Sequence, residues 1–261
     1  MEPLHYDVYE GRGTGWTCFI HGFMGSARAW QPIVQALTTR TNVVCIDLPG
    51  HGQSTERPRY LYSMEGATQA LADVLDALRI TACTLVGYSM GGRVALYFAC
   101  FHPTRVQRLL LESAHPGLER ATERTARRGL DAERALRIQN DFRGFLERWY
   151  RQPLFASLAQ HDLVEPMIDA RMQNDPSELA RALEGMGTGT QPPLWEELAQ
   201  CARPVRYITG ALDRKYTAVA RRIAQRCPAV GCHVVEGAGH NVHAERPQAF
   251  IGHLSDFVQA P

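Results

Sequence analysis

The stretch that decides the fold is Val86-Gly87-Tyr88-Ser89-Met90-Gly91-Gly92-Arg93, "VGYSMGGR". It sets Gly87, Ser89 and Gly91 in the pattern Gly-x-Ser-x-Gly. An apolar run at 83–86 precedes it, and a helix-like run at 94–100 follows. The whole reads as a strand that turns sharply into a helix with a serine at the apex. Such a turn needs small residues on both sides, because the neighbouring backbones come close there. It also places Ser89 at a helix N-terminus, where free N–H groups and the helix dipole favour a developing negative charge. Two readings of Ser89 follow: a catalytic hydroxyl, or a turn residue that caps the helix.

Outward from this turn, strands and helices alternate. Residues 4–9, 16–20, 42–47, 83–86 and 106–112 read as strands, and 27–37 and 63–78 have helical spacing. This alternation predicts a mostly parallel, twisted sheet with helices on both faces. It stops near residue 115, and from 118 to about 183 the pattern is helical and rich in charge. "GMGTGTQPP" at 185–193 is a break, after which strand and helix signals return at 205–209, 217–226, 232–235 and 247–258. The expected organisation is an α/β core built from 1–116 and 191–261, with a helical cap at 117–190.

Composition narrows the function. Apolar residues make up 45% of the 261 and charged residues 21%, which suits an ordinary packed core. A net charge of +1 gives no reason to expect a nucleic acid or an anionic membrane as partner. Lys215 is the only lysine, so a bound anion would mostly meet planar, bidentate guanidinium groups. Seven cysteines, none in C-x-x-C spacing, point to reduced thiols rather than a disulfide set or a metal site. The N-terminal residues lack a basic start with an apolar segment behind it, and no apolar run is long enough to span a membrane. The expectation is a cytoplasmic protein without metal or cofactor, compatible with a monomer, acting on a small molecule.

Three further stretches bear on Ser89. "HGFMGS" at 21–26 follows an early strand, and its glycines allow a tight loop that turns the Phe23 N–H towards a reacting oxygen. With the Met90 N–H it would form an oxyanion hole. Asp213 lies just past the strand at 205–209, in "GALDRKY", where it reads as a catalytic acid or as a helix N-cap. His240 lies in the glycine-flanked loop of "EGAGHNVHAERP". Ser89, Asp213 and His240 thus occur in the chain order nucleophile, acid, histidine, which is the order of the α/β-hydrolase fold. Asp47 is a rival acid but reads better as a loop brace, as do His21 and His51. His243 reads as a supporting residue. The H-x-x-H of His240 and His243 has no further ligand cluster to make a metal site.

The insertion carries Arg120, Arg124, Arg127, Arg128, Arg134 and Arg137 among acidic residues, a pattern that mostly describes a salt-bridged, solvated helix face. Arg124 shares a helix face with Arg127 or Arg128, Arg93 stands one turn into the elbow helix, and Arg171 lies farther along. Converging guanidiniums suit a substrate with several carboxylates, which arginine grips bidentately.

Taken together, "VGYSMGGRVAL", "ESAHPGL", "WYRQPLFASL", "QPPLWEEL", "GALDRKY" and "GAGHNVHAERP" resemble the 2-succinyl-6-hydroxy-2,4-cyclohexadiene-1-carboxylate (SHCHC) synthase family over nearly the whole chain. The resemblance implies a lyase of menaquinone or phylloquinone biosynthesis on an α/β-hydrolase fold. Such a lyase forms SHCHC from 2-succinyl-5-enolpyruvyl-6-hydroxy-3-cyclohexene-1-carboxylate by a 2,5-elimination of pyruvate. It further implies Ser89, Asp213 and His240 as the triad and the Phe23 and Met90 amides as the oxyanion hole. Tyr88, Arg93, Arg127, Trp149 and Arg171 are implied as substrate-binding residues. Arg127 is placed by counting from His-Pro-Gly, with Arg124 and Arg128 as its alternatives. The residues themselves also admit a carboxylesterase or carbon–carbon hydrolase with the same triad, or a receptor that uses the pocket for ligand alone.

Overall fold

The computed structural model describes residues 3–259. Its seven strands are β1 Tyr6–Tyr9, β2 Trp16–Ile20, β3 Asn42–Ile46, β4 Cys83–Tyr88, β5 Val106–Glu112, β6 Val205–Gly210 and β7 Val230–Val235. They form one sheet in the order β1-β3-β2-β4-β5-β6-β7. Only β1 runs antiparallel, against β3 at the sheet edge; every other pairing is parallel. Parallel strands need crossovers, and the helices supply them. In chain order these are α1 Gln31–Leu37, α2 Met64–Ala77, α3 Met90–Phe101, α4 Ala121–Asn140, α5 Phe142–Tyr150, α6 Val164–Arg171, α7 Pro176–Met186, α8 Trp195–Ala199, α9 Arg214–Arg226, α10 Val242–Glu245 and α11 Pro247–Gln259.

The period-2 geometry of the strands sorts their side chains between two cores. In β4, which is buried throughout, Cys83 and Leu85 face a core shared with α2, α3, α8 and α9. Val86 and Tyr88 face the other core, closed by Ile33, Val34 and Leu37 of α1 and by Phe250, Leu254 and Phe257 of α11. A strand buried on both faces reads as a mostly apolar run, which is why β4 and the Leu109–Leu111 part of β5 are visible in the sequence.

A third core holds α5, α6 and α7 together with the 3-10 stretch Pro153–His161, through Phe145, Leu146, Leu158, Ile168, Leu179 and Leu183. Met24, from the loop after β2, is packed into it. Asn174, between α6 and α7, accepts from the Gly52 N–H at 2.9 Å and donates to the Met24 carbonyl at 3.0 Å. Both partners lie in loops that leave the C-terminal ends of strands. The helical segment between β5 and β6 is therefore seated over that edge of the sheet, where ligands bind in such folds.

The elements differ from the sequence expectation mainly at their ends. Helix α3 begins at Met90 rather than 94, because the two glycines that hide its start in a propensity reading are needed for close packing. The span 27–37 divides into a 3-10 turn, Ala27–Trp30, and α1, whose first turn holds Pro32 where no N–H partner is required. Helix α9 begins at Arg214 under an Asp213 cap, and β7 reaches back to Val230. All seven cysteines are free thiols. No helix among the described residues is long and apolar enough to cross a membrane.

Candidate active site

Ser89 sits between β4 and α3 with φ 49° and ψ −106°. A non-glycine residue in that region is strained and persists only where its surroundings enforce it. Here the Ser89 N–H donates to the Glu112 carbonyl of β5 at 2.8 Å, and the flanking glycines allow the close packing. A Cβ on Gly87 would strike the backbone of Gly91 and Gly92. A Cβ on Gly91 would strike the carbonyl oxygens of Ile20 and His21, so this glycine lets the loop that carries Phe23 lie against the elbow. The Ser89 side chain makes no capping bond to α3. Its Oγ instead lies 3.2 Å from His240 Nε2.

His240 lies in the loop between β7 and α10, and its Nδ1 is 2.7 Å from Asp213 Oδ2. Asp213 is placed for both roles read from the sequence. Its second oxygen accepts from the Tyr216 N–H at 3.0 Å and caps α9. The histidine loop is held by a residue that the sequence did not reveal. Glu245, buried in α10, accepts from the Gly239 N–H at 2.7 Å and the Asn241 N–H at 3.2 Å, the amides on either side of His240. His243 is separate from the relay: its Nδ1 and N–H bind Glu112 at 2.7 and 3.0 Å, and its ring stacks on Trp30. Asp47 braces loops, accepting from the amides of Ala27 and Gln53 and meeting His5 Nδ1 at 2.9 Å.

Ser89, Met90, His240 and Phe23 line a cavity of about 590 Å³ beneath the cap. The Met90 amide opens α3, and first-turn amides have no acceptor within their own helix. Arg93, Arg127 and Trp149 line the same cavity. Arg93 is buried, which lowers its pKa to about 10, and its NH1 is 3.4 Å from Gln191 Oε1. Gln191 is itself fixed by a 3.0 Å bond to the His115 carbonyl. Of the three adjacent cap arginines, only Arg127 reaches the cavity. Arg124 donates to the carbonyls of Leu118 and Glu119, and Arg128 donates to the Gly189 carbonyl and Thr125 Oγ1.

Arg171 and Tyr88 are not in that main cavity. They line a smaller lobe with Asn241, and Ser89, Phe23 and Trp149 border both lobes. The Arg171 Nε is buried without a protein partner, an arrangement that favours an incoming anion. Arg134 and Lys215 also line the main cavity, and sequence reading placed neither of them there. The available signal was spacing for Arg134, two turns from Arg127 on one helix, and proximity to Asp213 for Lys215.

Next to the site, His21 and His51 are buried and held neutral. His21 Nε2 accepts from the Leu48 N–H at 3.0 Å, and its Nδ1 donates to the Gly22 carbonyl. Burial lowers the pKa of His21 to about 4 and that of His51 to about 3. Between those values and the ordinary histidine value, the unfolded chain binds more protons than the folded one. Stability is therefore fully present above the unfolded pKa and is lost as pH falls below it. Denaturant titrations should show a loss on the order of 3 kcal/mol between about pH 7 and pH 5. A flat profile across that window would contradict neutral burial of the pair.

A buried Ser-His-Asp relay on a strand–helix elbow, under a helical cap, defines the class. The chain belongs to the alpha/beta hydrolase fold family, whose model matches residues 17–247. Within that class it belongs to the 2-succinyl-6-hydroxy-2,4-cyclohexadiene-1-carboxylate synthase family. It is 36% identical over 255 residues to the synthase of Citrobacter koseri, covering 95% of both chains. It is 34% identical to that of Escherichia coli O1:K1, covering 98% of this chain and 99% of the relative. Among solved structures, MenH from S. aureus superposes with a TM-score of 0.92 at 30% identity, over 98% of both chains.

Proposed function

We propose that the protein is a carbon–oxygen lyase of menaquinone or phylloquinone biosynthesis, acting in the cytoplasm on a small polycarboxylate. It eliminates pyruvate from 2-succinyl-5-enolpyruvyl-6-hydroxy-3-cyclohexene-1-carboxylate to give SHCHC. The observation that carries this reading is a complete Ser89–His240–Asp213 relay opening onto a cavity lined with Arg93 and Arg127, with Arg171 in the adjoining lobe. A cleft for simple esters has no use for that many cations.

The residues act as follows. Asp213 orients His240 and stabilises its charged form, and His240 draws the proton from Ser89 Oγ. The Ser89 oxygen removes the ring proton at C2, beside the succinyl ketone. The resulting enolate oxygen is held by the Phe23 and Met90 amides, where preorganised donors act at low dielectric. The electron pair moves through C3 and C4, the C5–O bond breaks, and pyruvate leaves as its enolate. The abstracted proton, passed through His240, completes the pyruvate methyl group. Arg93, Arg127 and Arg171 grip the carboxylates, and Tyr88 and Trp149 flank the ring. No acyl-enzyme forms on this route.

The test is pyruvate release from the enolpyruvyl cyclohexene, with simple aryl esters turned over poorly. Capture of an acyl group on Ser89 during turnover would overturn the mechanism. Arg93→Ala separates lyase from esterase: kcat/KM for the elimination should fall about a hundredfold, the worth of one charge-assisted bidentate contact. Any residual cleavage of a small neutral ester should be unchanged. Equal losses on both substrates would favour the hydrolase.

A further inference from the structure

We infer that Arg127, Arg134 and Lys215 form a single carboxylate receptor on the cavity wall, with Asp131 as the positioning residue that aims the two arginines. The inference rests on the polycarboxylate reading above and extends it to Asp131, Arg134 and Lys215, which the sequence reading did not place at the site.

The arrangement begins with the spacing on α4. Arg127 and Arg134 are two turns apart and therefore share a face, and Asp131 lies one turn from each. Asp131 is 2% exposed. Its two oxygens accept from Arg127 Nε at 2.8 and 2.9 Å, and Oδ1 also accepts from Arg134 NH1 at 3.2 Å. Arg127 thus spends only Nε and keeps both terminal amino groups for a ligand. The Arg134 guanidinium is further fixed over the Trp149 ring, 5.2 Å from its centroid. Two long side chains that would otherwise lose rotamer entropy on binding are already ordered in the free protein.

Lys215 completes the group from α9. It is exposed along the cavity and forms no ion pair among the described residues. It stands in the first turn of α9, where the helix dipole disfavours a cation. Desolvation and the Arg127 charge both lower its pKa, and the same two causes lower that of Arg134. The acids that act on Lys215 are already committed, Asp213 to His240 and the α9 cap, and Asp131 to the arginines. Two of the three cations share the Asp131 carboxylate, and Lys215 has no ion-pair partner of its own among the described residues. The mutual repulsion of the three is relieved when a carboxylate enters between them, and that relief is binding energy specific to an anionic ligand.

The test uses the full chain and a stable aromatic dicarboxylate that mimics the product, 2-succinylbenzoate, titrated calorimetrically. Arg134→Met and Lys215→Met should each weaken binding about tenfold, and Lys215→Arg should stay within about threefold of wild type. Arg137→Met removes an exposed charge from the same helix and should change binding less than about twofold. Asp131→Asn discriminates most sharply. It adds net positive charge, so an acid that merely screens would give tighter binding when lost. A positioning acid gives weaker binding, about threefold or more. In the pyruvate assay the weakened variants should raise KM about tenfold with kcat within about threefold. Wild type that fails to bind the dicarboxylate, or Arg134→Met and Lys215→Met that bind it like wild type, would overturn the receptor. Tighter binding by Asp131→Asn would overturn the positioning role. Binding with this mutational pattern but no pyruvate release would sink the lyase reading and keep the receptor. Pyruvate release with KM unmoved in the variants would do the reverse.

Discussion

With Ser89 replaced by alanine, pyruvate release is expected to fall at least about ten-thousandfold, while binding of a dicarboxylate product analogue stays within about twofold. The two readouts separate because Ser89 contributes one oxygen to the chemistry and none to the cation set. Nor should the fold suffer. The strained φ of 49° is already occupied by a residue with a Cβ, the elbow is held by the Ser89 N–H to Glu112, and the side chain caps nothing. An alanine variant with unchanged melting and intact binding but no turnover identifies the hydroxyl as the reacting group. Turnover retained within tenfold would mean that the base lies elsewhere, with His240 acting directly as the nearest candidate at 3.2 Å. The same comparison separates an enzyme from a receptor, since a receptor has no turnover to lose.

How far the sequence shows this site depends on what kind of constraint each residue obeys. The elbow is legible because its constraint is steric and local: Gly87 and Gly91 are forced by backbone atoms that a Cβ would strike. The set Ser89, Asp213 and His240 is legible because the fold imposes a chain order on three loops. The central strands are legible because burial on both faces removes polar residues from them. The helix α4 shows the opposite case. Over its twenty residues only Asp131, Ala135 and Ile138 are buried, and its charges alternate so evenly that no face stands out. Arg134 and Arg137 look alike in sequence, yet their side chains are 19% and 62% exposed. What separates them is tertiary: Trp149 of α5 lies under one and solvent under the other. Glu245 was hidden for the same reason. Its partners are backbone amides of a loop, and amides carry no residue identity for a sequence reading to detect.

Asparagine at position 213 is expected to lower turnover about a thousandfold to ten-thousandfold and leave the melting temperature nearly unchanged. The asymmetry comes from the two separate duties of the Asp213 carboxylate. Oδ1 accepts the Tyr216 N–H as the cap of α9, and an asparagine oxygen can continue that bond. Oδ2 accepts the Nδ1 proton of His240, and the amide nitrogen that takes its place is a donor instead. His240 must then present a bare Nδ1 and carry its proton on Nε2, facing Ser89. In that tautomer it cannot accept the serine proton, and the charge that would have stabilised its ionised form is gone. Rotating the amide to restore the histidine bond would turn a donor towards the Tyr216 N–H and break the cap. The first arrangement holds the wrong tautomer; the second restores the tautomer but lacks the charge that stabilises the imidazolium, and only the second is also unstable. Alanine at 213 removes both functions and should lose a further 1 kcal/mol or so of stability through the missing cap, with turnover as low as in the asparagine variant. Comparable activity in wild type and the asparagine variant would exclude Asp213 as the acid of the relay and leave it as a helix cap alone.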